Sequence, residues 1–227
     1  MLKPFLVLAA VVAFSGRAQA QTVEAPRAAV AAEPAAAVPA ALPAGTLQLA
    51  ALPATSLSLP KGPAQVILIR HGEKPASGND LSPRGYQRAQ ALVAFFTSGA
   101  PTARYGPPAA IYAEQPQPDG SQARPFETVK PLADSLGQTV DTDFKKKDAA
   151  GLAQDILTNP DYAGKMVLIS WEHHMLPDIL RALGWTTGPD AYPDAAFDRV
   201  WTLDFDGGKP VAFSDTPQRL LPGDSDK

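Results

Sequence analysis

The chain has 227 residues, no cysteine and a formal net charge of −3. This length accommodates one ordinary domain with additional segments. The absence of cysteine excludes disulfide bonds, so a folded core must stabilise the domain. The acidic balance argues against a nucleic-acid-binding surface.

The first 20 residues predict a secretory signal peptide. Lys3 gives a positive start, residues 5–14 are apolar, and Ala18-Gln19-Ala20 is a small-residue cleavage site. The apolar stretch is too short to span a bilayer, so we expect a periplasmic or secreted protein without stable membrane insertion; a retained anchor is the alternative. Cleavage removes two basic residues, leaving 18 basic against 23 acidic residues and a net charge of −5.

Residues 21–60 predict a disordered linker, because 14 Ala and six Pro fill 20 of these 40 positions. Proline interrupts the helix that alanine favours, and few large apolar side chains are present to offset the entropy of ordering. Residues 217–227 predict a flexible tail. Residues 61–216 are therefore the predicted folded domain.

Strands and helices alternate in the predicted domain. The predicted strands are 65–69, 109–113, 140–142 (at an edge), 166–171, 200–205 and 210–213, and the predicted helices are 83–96, 124–135, 148–157 and 176–183. The last two strands read as a hairpin around Asp206-Gly207-Gly208. This alternation favours a three-layer α/β/α sandwich with a mostly parallel central sheet.

The tetrapeptide Arg70-His71-Gly72-Glu73 follows the first apolar strand, where α/β sheets place their chemistry. An imidazole there can act as a nucleophile, a neighbouring guanidinium can bind two phosphate oxygens, and a glycine lets the backbone approach a ligand. His71 is therefore a candidate nucleophile and Arg70 a candidate phosphate ligand. The alternatives are a capping or core histidine and a salt bridge between Arg70 and Glu73.

The segments LIRHGEKP (residues 68–75) and LSPRGYQRA (residues 81–89) resemble the histidine phosphatase superfamily, which includes the cofactor-dependent phosphoglycerate mutases. The resemblance extends from about residue 65 to about residue 183. It implies a phosphoglycerate mutase-like fold and phosphoryl transfer through a phosphohistidine on His71. We expect no cofactor.

The resemblance also implies a second guanidinium and a second imidazole. The family has an arginine at the start of a helix, followed after three or four residues by threonine; Arg124 and Thr128 match. It has a histidine directly after a late strand, and His173 is favoured over His174 because it is nearer the strand end. The preceding Glu172 departs from the family pattern. The predicted catalytic residues are His71, Arg70, Arg124 and His173, of which the last three bind phosphate.

The proton donor for the leaving oxygen is left open among Asp143, Glu114 and Glu172. A zinc site is an alternative use of the histidines, because carboxylates accompany them in the chain. However, adjacent His173 and His174 do not easily face one ion, and no HExxH spacing is present, so we predict no metal.

The sequence therefore predicts an exported phosphatase acting on a small phosphomonoester or a phosphoprotein. A non-catalytic phosphate-binding module and a phosphoprotein or phosphohistidine phosphatase are the alternatives. Export argues against a mutase. A phytase-like enzyme would have arginine where Lys74 lies and a large helical insertion. Loops 114–122 and 186–197 are expected to set the substrate, and no oligomeric state is predicted.

Overall fold

The computed structural model describes residues 61–225, so the predicted signal peptide and linker lie outside the described residues. The strands are β1 (Gln65–Arg70), β2 (Ala110–Ala113), β3 (Met166–Trp171), β4 (Arg199–Asp206) and β5 (Lys209–Pro217). The α-helices are α1 (Pro83–Ser98), α2 (Ala123–Leu136), α3 (Ala149–Thr158) and α4 (Leu176–Ala182). Three 3₁₀ turns lie at Ala100–Thr102, Pro160–Tyr162 and His173–Met175.

The strands form one sheet in the order β2-β3-β1-β4-β5. β1 and β2 each pair in parallel with β3, whereas β4 is antiparallel to both β1 and β5. The sheet is therefore mixed, with two parallel and two antiparallel pairings, and the predicted predominance of parallel pairing is not confirmed. After α4, Gly184 lies against Pro210, near the edge of the sheet where β1 begins. Residues 185–198 then return the chain to Arg70, so β4 starts at the edge where β1 ends.

Helices cover both faces of the sheet, which confirms the three-layer α/β/α arrangement. Alternate residues of β1 point to opposite cores because side chains in a strand alternate between faces. Val66 and Leu68 pack in the core that α3 and α4 complete, and Ile67 and Ile69 pack in the core that α1 and α2 complete. β1 is buried along its whole length, so its C-terminal end is held rigidly between the layers.

Local sequence signals account for several element boundaries. The Ser82 side chain caps α1 by accepting a hydrogen bond from the Gly85 N–H, and α2 ends at Gly137 in a left-handed conformation with φ 66°. The predicted strand 140–142 is wrong, because this segment forms only an isolated bridge from Asp141 to Tyr112. The Asp141 carboxylate accepts the N–H of Asp143, which interrupts the regular pairing, and the next backbone hydrogen bond runs from the Gln115 N–H to the Phe144 carbonyl.

The segment that follows β5 packs against the domain up to Ser225, although it was predicted to be a flexible tail. The buried Arg88 of α1 donates hydrogen bonds to Gln218 Oε1 at 2.9 Å and to Asp224 Oδ1 at 2.7 Å. These partners tie the segment to α1. Within residues 61–225, no helix combines the length and the apolar character needed to cross a membrane.

Candidate active site

His71 lies directly after β1 and is only 4% exposed. Its Nδ1 is 2.7 Å from the carbonyl oxygen of Gly72. Because a carbonyl can only accept, Nδ1 carries the proton and Nε2 presents a lone pair. Burial lowers the pKa of His71 to about 4, with further lowering by the positive charges of Arg70 and Arg124. The imidazole is therefore neutral at pH 7, as a nucleophile must be.

Arg70 is 2% exposed and is oriented by a loop that precedes β4. Its Nη1 donates to the carbonyl oxygens of Asp194 at 2.6 Å and Ala196 at 2.9 Å. The guanidinium carbon lies 3.8 Å from the centre of the Phe197 ring. Nε is buried and has no hydrogen-bond partner among the described residues. Since an unpaired buried donor is costly, this nitrogen is suited to an anionic ligand.

Arg70 does not form the alternative salt bridge with Glu73. The Glu73 carboxylate instead accepts from Arg84 Nε at 2.9 Å and from Arg88 Nη2 at 2.7 Å, both on α1. Glu73 therefore fastens the loop after His71 to α1, and the guanidinium of Arg70 has no carboxylate from this residue to neutralise it.

Gly72 and Thr128 join the loop after β1 to two helices. The Gly72 N–H donates to Thr128 Oγ1 at 2.8 Å, and the Thr128 hydroxyl donates to the Arg124 carbonyl at 2.7 Å. A Cβ on Gly72 would lie 3.0 Å from the Gly85 carbonyl oxygen and 3.1 Å from Gly85 Cα. The contacts of this glycine thus show a need for close packing on α1, rather than the expected approach of a ligand to the backbone.

Arg124 is the second residue of α2 and is partly buried. Its Nη1 lies 3.3 Å from the carbonyl oxygen of Gly78 and 3.2 Å from that of Asn79. Its positive charge contributes to the lowered pKa of His71. The same charge opposes, without reversing, the increase that burial causes in the pKa of Glu114. The structure therefore brings Arg124 to the same edge of the sheet as Arg70 and His71.

His173 is the more deeply placed of the two neighbouring histidines. It lies in the 3₁₀ turn after β3 and is 7% exposed, whereas the side chain of His174 is 68% exposed. The Nε2 of His173 lies 3.1 Å from Asp194 Oδ1. Asp194 joins His173 to Arg70, since its backbone carbonyl accepts from Arg70 Nη1, and the charge of His173 contributes to the lowered pKa of His71. This placement favours His173 over His174, in line with the sequence preference.

Among the three candidate proton donors, Glu114 has the most suitable surroundings. It directly follows β2, is 1% exposed, and accepts a hydrogen bond from the Glu172 N–H at 3.2 Å. Burial raises the pKa of Glu114 to about 7, so this carboxyl can hold and release a proton near neutral pH.

The other two carboxyls are less suited to proton donation. For Glu172, burial is outweighed by the backbone N–H of His174 and the charge of Lys146, so the pKa of this group lies below its usual value. Asp143 is exposed and lines a surface cavity of about 560 Å³ that also includes Tyr162.

The loop between α4 and β4 supplies site residues that the sequence did not indicate. Asp194 contacts Arg70 and His173, and the Phe197 ring centre lies 6.0 Å from that of His71. Loop 186–197 was expected to influence the substrate, but no motif distinguishes these two positions in it. Only the folded chain brings them to the end of β1.

No family model and no curated protein matches the chain. Among solved structures, the chain is similar to a mycobacterial glucosyl-3-phosphoglycerate phosphatase, with 13% identity, a TM-score of 0.43, and coverage of 68% of this chain and 97% of that one. It is also similar to a putative phosphohistidine phosphatase SixA from Agrobacterium tumefaciens, with 15% identity, a TM-score of 0.42, and coverage of 67% and 98%.

A third similar structure is a mutant phosphoserine phosphatase from Entamoeba histolytica in complex with phosphoserine. It shows 15% identity and a TM-score of 0.48, and the match covers 69% of this chain and 98% of that one. At these identities and TM-scores the likenesses decide no function, so the chemistry must be inferred from the residues of the site.

Proposed function

We propose that this protein hydrolyses a phosphomonoester, small or protein-borne, through a phosphohistidine on His71. One observation carries the proposal: a buried imidazole with its Nδ1 proton fixed on a carbonyl lies beside a buried guanidinium with an unpaired Nε. The first group is a nucleophile with its lone pair free, and the second is a phosphate ligand that forms no salt bridge with the neighbouring Glu73.

In the first step, Nε2 of His71 attacks phosphorus and the bond to the ester oxygen breaks. The electron pair of that bond goes to the leaving oxygen, which takes a proton from Glu114 and departs as an alcohol. Arg70 and Arg124 bind the equatorial oxygens, where charge is spread in the transition state, and His173 completes the group of donors.

In the second step, water attacks the phosphohistidine. Glu114, now a carboxylate, accepts a proton from the water, the P–N bond breaks, and its electron pair returns to Nε2. Inorganic phosphate leaves, and both His71 and Glu114 recover their starting protonation states. No cofactor is needed for the atoms and charges to balance.

Export is part of the proposal and is supported by the predicted signal peptide at residues 1–20. Expression of the full chain in a bacterial host, followed by fractionation and N-terminal sequencing, tests it. We expect a periplasmic or extracellular protein that begins at Gln21. Uncleaved protein in the cytoplasm would contradict export without affecting the chemistry.

Rapid-quench mass spectrometry tests the chemistry. The mature protein is mixed with p-nitrophenyl phosphate and quenched at neutral to alkaline pH, because phosphohistidine is labile in acid. We expect one added phosphoryl group in the wild type and in His174→Ala, and none in His71→Asn. The absence of both adduct and phosphate release over a broad panel of esters would overturn the proposal. Phosphate binding without turnover would then indicate a non-catalytic module.

A further inference from the structure

Three side chains that follow β3 bring potential metal ligands together. The Nδ1 atoms of His173 and His174 each lie 2.9 Å from Oε1 of Glu172. The two imidazole rings overlap, with centres 3.9 Å apart and planes inclined by 35°. The expectation that adjacent histidines cannot face one ion does not hold here, because the turn after β3 directs both rings to the same carboxylate oxygen.

The separations between these atoms suit a small divalent ion. Ligands about 2.0 Å from a tetrahedral Zn²⁺ ion are about 3.3 Å from one another. The Nδ1–Oε1 distances of 2.9 Å are within a few tenths of this value, and one ligand atom from each residue lies within 4.8 Å of the others. The Nδ1 of His173 is buried, and its 2.9 Å contact with Glu172 Oε1 does not have hydrogen-bond geometry, so the lone pair of this nitrogen is available to an ion.

Asp194 lies where its carboxylate can accept a hydrogen bond from the second ring nitrogen of both histidines. Its Oδ1 lies 3.1 Å from Nε2 of His173 and 3.5 Å from Nε2 of His174, on the side of each ring away from Glu172. Metal-bound histidines usually donate their second ring N–H to such a carboxylate, which fixes the tautomer. On Glu172, Lys146 Nζ lies 3.3 Å from Oε2, leaving Oε1 for an ion.

We propose that Glu172, His173 and His174 bind a divalent transition-metal ion of the Zn²⁺ class, with Asp194 orienting both imidazoles and a fourth position open to solvent. Two histidines and one glutamate are an established ligand set for zinc. The site is accessible, because the side chains of His174 and Asp194 are 68% and 82% exposed.

Ion binding has a consequence that rests on the proposed phosphatase function. Without an ion, His173 can exchange its contacts with Glu172 and Asp194 for a phosphoryl group. A bound ion on Nδ1 would fix the ring with Nε2–H on Asp194 and prevent this exchange. The bound ion therefore inhibits ester hydrolysis by withdrawing His173 from the substrate.

Binding is measured first, independently of activity. Tag-free mature protein is titrated with Zn²⁺ by calorimetry and with Co²⁺ by visible absorption. We expect the wild type to bind one ion per chain. The affinity should be at least about 10-fold lower in His174→Ala and Glu172→Gln, and about 10- to 100-fold lower in Asp194→Asn. His71→Asn, which alters no proposed ligand, should bind as the wild type does. The proposed ion site would be overturned if the wild type bound neither Zn²⁺ nor Co²⁺ at micromolar concentrations, or if His174→Ala bound the ion with unchanged affinity.

Inhibition is then measured with p-nitrophenyl phosphate. We expect Zn²⁺ to inhibit the wild type, while His174→Ala keeps its basal rate and resists the ion. Zn²⁺ binding without inhibition would overturn the role given to His173 and leave the ion site in place. Because the calorimetric titration needs no turnover, a failure of the phosphatase proposal is distinguishable from a failure of the ion site.

Discussion

At the level of single residues, the burial that keeps His71 neutral as the proposed nucleophile also makes the folded protein less stable in acid. Burial lowers the pKa of His71 to about 4 in the folded protein, against an ordinary value of 6.5. Between these values the unfolded chain binds the proton and the folded protein does not. Stability is therefore unaffected above pH 6.5 and falls as the pH drops from 6.5 to 4, by about 3 kcal/mol in total from this group.

Urea unfolding at pH 7 and pH 4.5 measures this effect. The free energy of unfolding of the wild type should fall more between the two pH values than that of His71→Asn. NMR titration gives the pKa directly, because the chain has only three histidines. A His71 that titrates near pH 6.5 in the folded protein would contradict the prediction.

Thr128 positions the loop after His71 through a single hydroxyl. Thr128→Val keeps the shape of the side chain but leaves the buried N–H of Gly72 without its acceptor. We expect a loss of about 1–3 kcal/mol in the free energy of unfolding, with a lower kcat because His71 follows the displaced loop. Thr128→Ser retains the hydroxyl and should keep most of the activity. Equal activity in the valine and serine variants would argue against this role.

Some site residues were predictable because they are neighbours in sequence. Arg70 and His71 end one apolar strand, so their placement at its carboxyl end needed no knowledge of the rest of the fold. Glu114 was one of three equal candidates, since its raised pKa depends on burial by distant segments. Asp194 reaches Arg70 only through an irregular loop, for which local propensity makes no prediction.

At the level of elements, the first turn of α1 contains a glycine, Gly85, that its packing requires. A Cβ on Gly85 would lie 2.5 Å from the Glu73 carbonyl oxygen, closer than atoms in proteins approach. Alanine favours a helix over glycine by about 1 kcal/mol, yet we expect Gly85→Ala to lower the melting temperature because the contact is with backbone.

The exposed Ala94 of the same helix provides the matched control for Gly85. Ala94→Gly should destabilise by about 1 kcal/mol through helix propensity alone. If Gly85→Ala raises the melting temperature, propensity outweighs packing at this junction and the inferred clash is absent. Near-UV circular dichroism of both variants reports whether the core is retained.

The elements themselves were largely predictable, for local reasons. β3 was predicted with its observed bounds because a largely apolar run, interrupted only by Ser170, ends at polar residues on both sides, and α1 because Ser82 and Pro83 are a capping signal. The direction of β4 was not, since it depends on the irregular loop that returns the chain to the end of β1. Segment 140–142 has the composition of a strand, but its pairing becomes irregular where the Asp141 side chain accepts the N–H of Asp143.

At the level of the whole molecule, a buried ion pair joins α1 to the C-terminal segment of the described domain. The side chains of Arg88 and Asp224 are 2% and 3% exposed, with Nη2 and Oδ1 2.7 Å apart. Removing Asp224 takes away one of the two carboxylates paired with the buried Arg88, because Glu73 remains. We expect Asp224→Ala to lower the free energy of unfolding in urea by about 1–3 kcal/mol through the lost hydrogen bonds to a charged group.

The surface pair of Lys130 and Asp134 is the control for this prediction. These side chains are 47% and 59% exposed and lie four residues apart on α2. Lys130→Ala should change the free energy of unfolding by no more than about 0.5 kcal/mol, because solvent screens the charges. Similar losses in both variants would mean that the pair between Arg88 and Asp224 contributes no more than a surface contact.

The order of strands in the sheet also has a consequence for the timing of synthesis. β1 is the first strand to leave the ribosome, yet its two neighbours, β3 and β4, begin at residues 166 and 199. The central strand thus has no partner until most of the chain has been translated, and long-range pairing of this kind is slow. A nascent chain that carries an export signal would therefore still be unfolded when the secretion machinery receives it, which is the state in which a narrow translocation channel can accept it.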